Sequence, residues 1–98
     1  MSKDLYILQM EKTGEIKIGR SKDPKRRLKQ LQTGSPYLLK IILHAPGKGH
    51  LEKMIHRDMS HLRTRRKGEW FKPEALTELP IDLYDLLDLE LENWWRRS

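Results

Sequence analysis

Residues 16 to 27 read IKIGRSKDPKRR and carry six cations, Lys17, Arg20, Lys22, Lys25, Arg26 and Arg27, around a glycine and a proline. Positive charge at that density suits a polyanion, and a nucleic-acid phosphate is the one expected. A second basic run holds Arg63, Arg65, Arg66 and Lys67. Two further groups have side chains capable of chemistry. Tyr6 lies in an apolar run, and Glu52 and His56 are spaced one helical turn apart.

These groups act together only if the chain brings them together. In LYILQM, Leu5, Ile7 and Gln9 alternate with Tyr6, Leu8 and Met10, and in EIKIGR, Ile16 and Ile18 alternate with Lys17 and Gly19. The EKTGE stretch between them supplies a turn, so the two runs read as a β-hairpin. If the loop has an even number of residues, with Met10 opposite Glu15, Tyr6 and Lys17 share a face. They are then diagonal neighbours about 7–8 Å apart, within joint reach of one small ligand.

Asp23 before Pro24 marks a helix start, because the carboxylate caps free N–H groups and proline needs no donor at the first helical position. This helix should run to about Gln32 and stop at Gly34. Pro24, Leu28 and Leu31 define its inner face, which leaves Arg27 partly buried and Arg26 pointing away. The apolar YLLKIILH, residues 37 to 44, suggests a strand covered on both faces, the middle of the sheet. A second helix is expected from about His50 to Leu62, with Leu51, Ile55, Met59 and Leu62 as its stripe. Asp58 falls within that stripe, so the helix must end early or supply the carboxylate with a partner. His50 and His56, six apart, diverge on a helix and exclude a zinc-protease pair.

The chain of 98 residues fits one domain without cysteine, which excludes disulfides and thiolate metal sites. Its N-terminus lacks an apolar segment long enough for a signal peptide or a membrane span, so a cytoplasmic protein is expected. Residues 1–72 hold 18 Lys/Arg against 7 Asp/Glu, and residues 73–98 hold 2 against 7. The expected division is a basic core, 1–72, and an acidic, leucine-rich helical extension, 73–98, packed on it. Trp94 and Trp95 should pin that tail or form a homodimer contact.

The hairpin motifs LYI and KIG, the arginine eight residues after Gly19, the helix with Glu-x-x-Ile-His and the closing GEWF together resemble the GIY-YIG nuclease superfamily. The likeness covers residues 4 to about 72 and is nearest the branch of phages and small bacterial proteins. It implies an α+β fold, a three-stranded antiparallel sheet flanked by helices, here with an extra C-terminal helix. It also implies a Mg²⁺- or Mn²⁺-dependent DNA endonuclease. By position, Tyr6 and Lys17 match the family's two motif tyrosines, Arg27 its helix arginine and Glu52 its metal-binding glutamate. Lys17 stands where better-known members have tyrosine, and the asparagine that often closes their site has no counterpart near Trp70 and Phe71.

On that resemblance, Glu52 would hold one divalent cation, which tolerates a single carboxylate with several waters. Arg27 would meet the phosphate with its planar fork of donors. Lys17 would lower the pKa of Tyr6 or of a bound water, leaving Tyr6 as base or water-positioner, and His56 would orient Glu52 or relay a proton. Arg20, Lys22, Lys25, Arg26, Arg63, Arg65, Arg66 and Lys67 would make backbone contacts that add affinity without reading sequence. Trp70 and Phe71 are expected in the core, sealing the sheet, rather than as a base-stacking platform. Two other readings remain: a catalytically silent nucleic-acid-binding module on the same fold, and an interaction protein whose tail recruits a partner.

Overall fold

The computed structural model of the chain describes residues 2–87. Strand β1 (Asp4–Met10) and strand β2 (Ile16–Ser21) form the expected antiparallel hairpin. Its turn has the even length that puts Tyr6 opposite Gly19 and Leu8 opposite Lys17. The Met10 N–H donates to the Glu15 carbonyl (2.9 Å), closing the register. Helix α1 (Pro24–Thr33) begins at Asp23, whose Oδ1 accepts from the Arg26 N–H at 3.2 Å, and ends at Gly34. It lies on the Tyr6 face of the hairpin, where Leu28 and Leu31 pack against Met10, Leu39 and Trp70.

Leu5, Ile7, Ile16 and Ile18 face the other way, into the main core with Ile55, Met59 and Phe71. Each side chain of that size removed from water contributes about 1.5–3 kcal/mol. Helix α2 (Glu52–Asp58) covers this face, flanked by 3-10 turns at Gly49–Leu51 and Ser60–Leu62. It is shorter than the apolar spacing suggests, and Asp58 is the reason. The helix stops there and the carboxylate turns to solvent, 3.6 Å from Arg57 Nε, instead of entering the stripe.

The sheet has four strands in the order β3-β1-β2-β4, not the three expected. Strand β4 (Trp70–Phe71) is too short to carry an alternation signal, yet it pairs with Ile16 and Lys17. Strand β3 (Leu39–Ala45) is an edge strand rather than the middle one. A bulge shifts its register between Ile7 and Leu8, so Ile42 and Leu43 both enter the main core although they are adjacent. The continuous apolar run therefore reflects that bulge, and Leu38, just before the strand, is 60% exposed.

The extension is not an α-helix over the described residues. It forms 3-10 turns at Pro73–Glu78 and Ile81–Leu86, separated by extended Leu79 and Pro80. Pro80 has no N–H to give a helix and forces the residue before it out of the helical region. Ala75, Leu76, Leu79 and Leu83 pack into the main core. Residues 88–98, with Trp94 and Trp95 of the tail-pinning or homodimer expectation, lie outside the described residues. Among the described residues no helix is long and apolar enough to cross a membrane.

Candidate functional site

Tyr6 points from the centre of β1 onto its cross-strand partner. A Cβ at Gly19 would stand 2.4 Å from the phenol oxygen and 2.5 Å from Cζ, so only glycine leaves the ring its place. The ring is 2% exposed. Burial raises its pKa above the ordinary 10, against the opposing pull of Arg27 and with a smaller push from the Glu52 carboxylate. This corrects the expectation that Lys17 lowers it. The Lys17 ammonium is turned away, donating to the Gly68 carbonyl and lying 5.8 Å from the centre of the Trp70 ring. Burial thus favours the protonated form of the phenol.

Arg27 stands beside that phenol, close enough to act on its charge although not in a well-aligned hydrogen bond, and donates from Nη1 to Gln30 Oε1 at 3.3 Å. It is exposed rather than half-buried, because α1 rests on the sheet through Pro24, Leu28 and Leu31 and leaves Arg27 at the margin. Glu52 arrives from the opposite layer at the start of α2. The tight passage of Gly49 against the Lys3 carbonyl, 2.6 Å from where a Cβ would be, lets the chain bring it to the end of the sheet. Its carboxylate lies 3.6 Å from Arg20 Nε and acts on the charges of both Tyr6 and Lys17. Arg27 from α1 and Glu52 from α2 thus both act on the charge of Tyr6 at one end of the hairpin.

His56 belongs to the support of this site. It is 8% exposed, edge-on to Phe71 at 5.1 Å, with Nε2 2.6 Å from the Ile18 carbonyl. A carbonyl only accepts, so Nε2 carries the proton and Nδ1 faces Glu69, 3.6 Å away. His56 thereby ties α2 to β2 beyond the point where β4 stops, one residue before Gly19. It makes no hydrogen bond to Glu52, whose carboxylate it was expected to orient.

Glu69 is a group the sequence reading passed over. It is the single non-glycine residue with positive φ (60°) among the described residues, and its carboxylate sits within 4 Å of both His56 and Arg63 Nη1 (3.8 Å). It also acts on Lys17, favouring its charged form against the burial that lowers its pKa below 10.5. GEWF contained the residue, but no spacing rule assigns a left-handed glutamate.

The remaining cations fall into two sets. Lys22, Lys25, Arg26, Arg65 and Lys67 are exposed, and Lys22 and Arg26 border a cavity of about 250 Å³ that Arg27 also lines. Arg20, Arg63 and Arg66 are engaged: with Glu52, with Glu69, and with Glu15 through Arg66 Nη2 at 2.9 Å and Nε at 3.1 Å. No cluster of three or more His, Asp or Glu side chains fit to cage a metal occurs among the described residues. A Mg²⁺ bound by one carboxylate, waters and a substrate phosphate needs no such cage, and Glu52 fits that donor set.

No curated protein and no solved structure matches the chain. The model of the T5orf172 domain matches residues 4–94. That match overturns the assignment to the GIY-YIG superfamily suggested by the motifs, and it is consistent with a nucleic-acid-related function. It takes in both the basic body and most of the acidic extension, and on that coverage the chain belongs to the T5orf172 domain family.

Proposed function

We propose that the protein is a metal-dependent endonuclease that hydrolyses DNA phosphodiesters. The supporting observation is that the Arg27 guanidinium and the Glu52 carboxylate both act on the Tyr6 phenol at one end of the hairpin, beside exposed cations. Arg27, exposed and always charged, takes the phosphate oxygens as a bidentate donor. Lys17 adds charge from the side. The protonated phenol, fixed over Gly19, donates to a phosphate oxygen or holds the attacking water, which needs no loss of its own proton. Glu52 would hold the divalent cation, which when bound neutralises phosphate charge, acidifies water and assists the leaving oxygen. Exposed Lys22, Lys25 and Arg26 draw in the backbone without reading bases.

The test is nicking of supercoiled plasmid with Mg²⁺ or Mn²⁺ by the native protein beside Glu52→Ala. Nicking by the native protein that Glu52→Ala abolishes, with DNA affinity kept, is the expected result. Equal nicking by both proteins, or none by either with any divalent ion, defeats the proposal. The ion pair of Glu52 with Arg20 favours a second reading, a silent DNA-binding module in which that carboxylate only holds an arginine. Salt-sensitive binding without cleavage is its mark.

A further inference from the structure

Lys17 belongs to two places. Its backbone stands on the Tyr6 face, and its side chain lines a cavity of about 340 Å³ between the end of α1 and the loop before β4. That volume lies near the lower end of small-ligand pockets, about 300–1,000 Å³. Met10, Leu31 and Leu39 give the cavity apolar walls, whereas Lys17, Arg66 and Lys67 give it positive charge, and no carboxylate lines it.

Two preformed features call for a particular kind of occupant. The Arg66 guanidinium, held by Glu15, lies 5.5 Å from the centre of the Tyr37 ring, so a flat cationic and aromatic pair already stands at the wall. Trp70 is 7% exposed and lines the cavity, and its indole N–H is not sealed from solvent. A Cβ at Gly68 would approach that nitrogen to 3.3 Å, so the glycine is what keeps it open to the cavity. An indole N–H that water can reach is a donor that an acceptor on an occupant can take over.

A flat, half-apolar group with acceptors on its edge and a negative charge attached is a nucleobase on its phosphate. We infer that this cavity takes one unstacked base of the nucleic acid whose neighbouring phosphate lies at Tyr6, Arg27 and Glu52; the inference rests on the function proposed above. The substrate class that follows is single-stranded or junction DNA with an unpaired nucleotide beside the cut. A base in an intact duplex must first leave its stack, a cost that an unpaired base avoids.

The test uses the whole chain without metal, titrated with a short oligothymidylate and with an abasic phosphodeoxyribose oligomer of the same length. The Trp70 indole signal is followed by NMR and assigned with Trp70→Phe. The thymidylate should move that signal and bind roughly tenfold tighter than the abasic oligomer. Tyr37→Ala, at a half-buried loop position, should remove the difference and leave abasic affinity unchanged. Equal affinity for the two oligomers, or a Trp70 signal that neither moves, overturns the inference. If base-dependent binding holds but no divalent ion yields cleavage, the nuclease proposal falls and the cavity assignment stands. If a fully paired duplex is cut as fast as the single strand, the cavity assignment falls and the nuclease proposal stands.

Discussion

Gly19→Ala is the sharpest test of how the site is held. The new methyl would lie 2.4 Å from Tyr6 Oη, 2.5 Å from Cζ and 2.9 Å from Cε2, where non-bonded carbons normally keep about 3.5–4.0 Å. The ring must move by about 1 Å, and a side chain that is 2% exposed has no vacancy to move into. Overpacking of this kind costs about 1–3 kcal/mol, less about 0.5 kcal/mol regained from the stiffer unfolded chain. For a domain near this size, each kcal/mol lowers Tm by roughly 4–8 °C. Catalysis should suffer more than stability, since a 1 Å displacement of a positioning group can cost about a hundredfold. The assay pairs thermal unfolding with plasmid nicking, in Gly19→Ala, Tyr6→Leu and the double variant. In the leucine background the methyl meets no ring, so it should cost little, and the cycle should show a coupling of about 1–2 kcal/mol. Additive effects, or a Gly19→Ala protein with unchanged Tm and rate, would refute the close approach that the site depends on.

Four other outcomes follow from the electrostatics. Burial holds the Tyr6 phenol above 10, so Tyr6→Phe should lower the nicking rate while leaving the shape of its pH profile between neutrality and pH 9 unchanged. Burial lowers the Lys17 pKa below 10.5, so its charge is lost as pH rises through that lowered value. Oligonucleotide affinity should fall there in the native protein and hold in Lys17→Arg, and stability should rise across the same window because the unfolded chain binds the extra proton. The Arg66 hydrogen bonds, aided by Thr64 and Thr13 against burial, hold Glu15 below its ordinary 4.5. The stability this gives is present above pH 4.5 and lost as pH falls through the folded value, so Glu15→Gln should flatten the acid limb of an unfolding curve. Replacing Lys22, Lys25 or Arg26 singly by glutamine should reduce the slope of log affinity against log salt by about one each at most.

The β1–β2 hairpin and the start of α1 were legible because their signals are local. A four-residue turn with alternating flanks admits one register, and Asp23 with Pro24 states a cap and a first turn in two adjacent residues. Arg27 was placed on the right helix but at the wrong depth, since angle on a helical wheel does not report where the helix axis crosses the sheet. β4 escaped notice because two residues cannot show a period, and β3 was put at the centre because a bulge and two-sided burial write the same apolar run. The direction of the Tyr6 shift needed the whereabouts of the Lys17 ammonium, which a carbonyl fifty-one residues further along captures. Glu69 shows the limit most plainly, for its role comes from a backbone angle that its side chain does not encode.

The two inner strands of the sheet are joined by its shortest connection, and they alone set the phenol against the glycine. Closing so small a loop costs little chain entropy, so this part of the molecule can order early, before the outer strands and the long acidic segment find their places. Insertions or exchanges in those later-arriving regions should therefore change how long the fold lasts more readily than how its reactive end is shaped. A lineage can rework the periphery of this protein and keep the geometry of its hairpin.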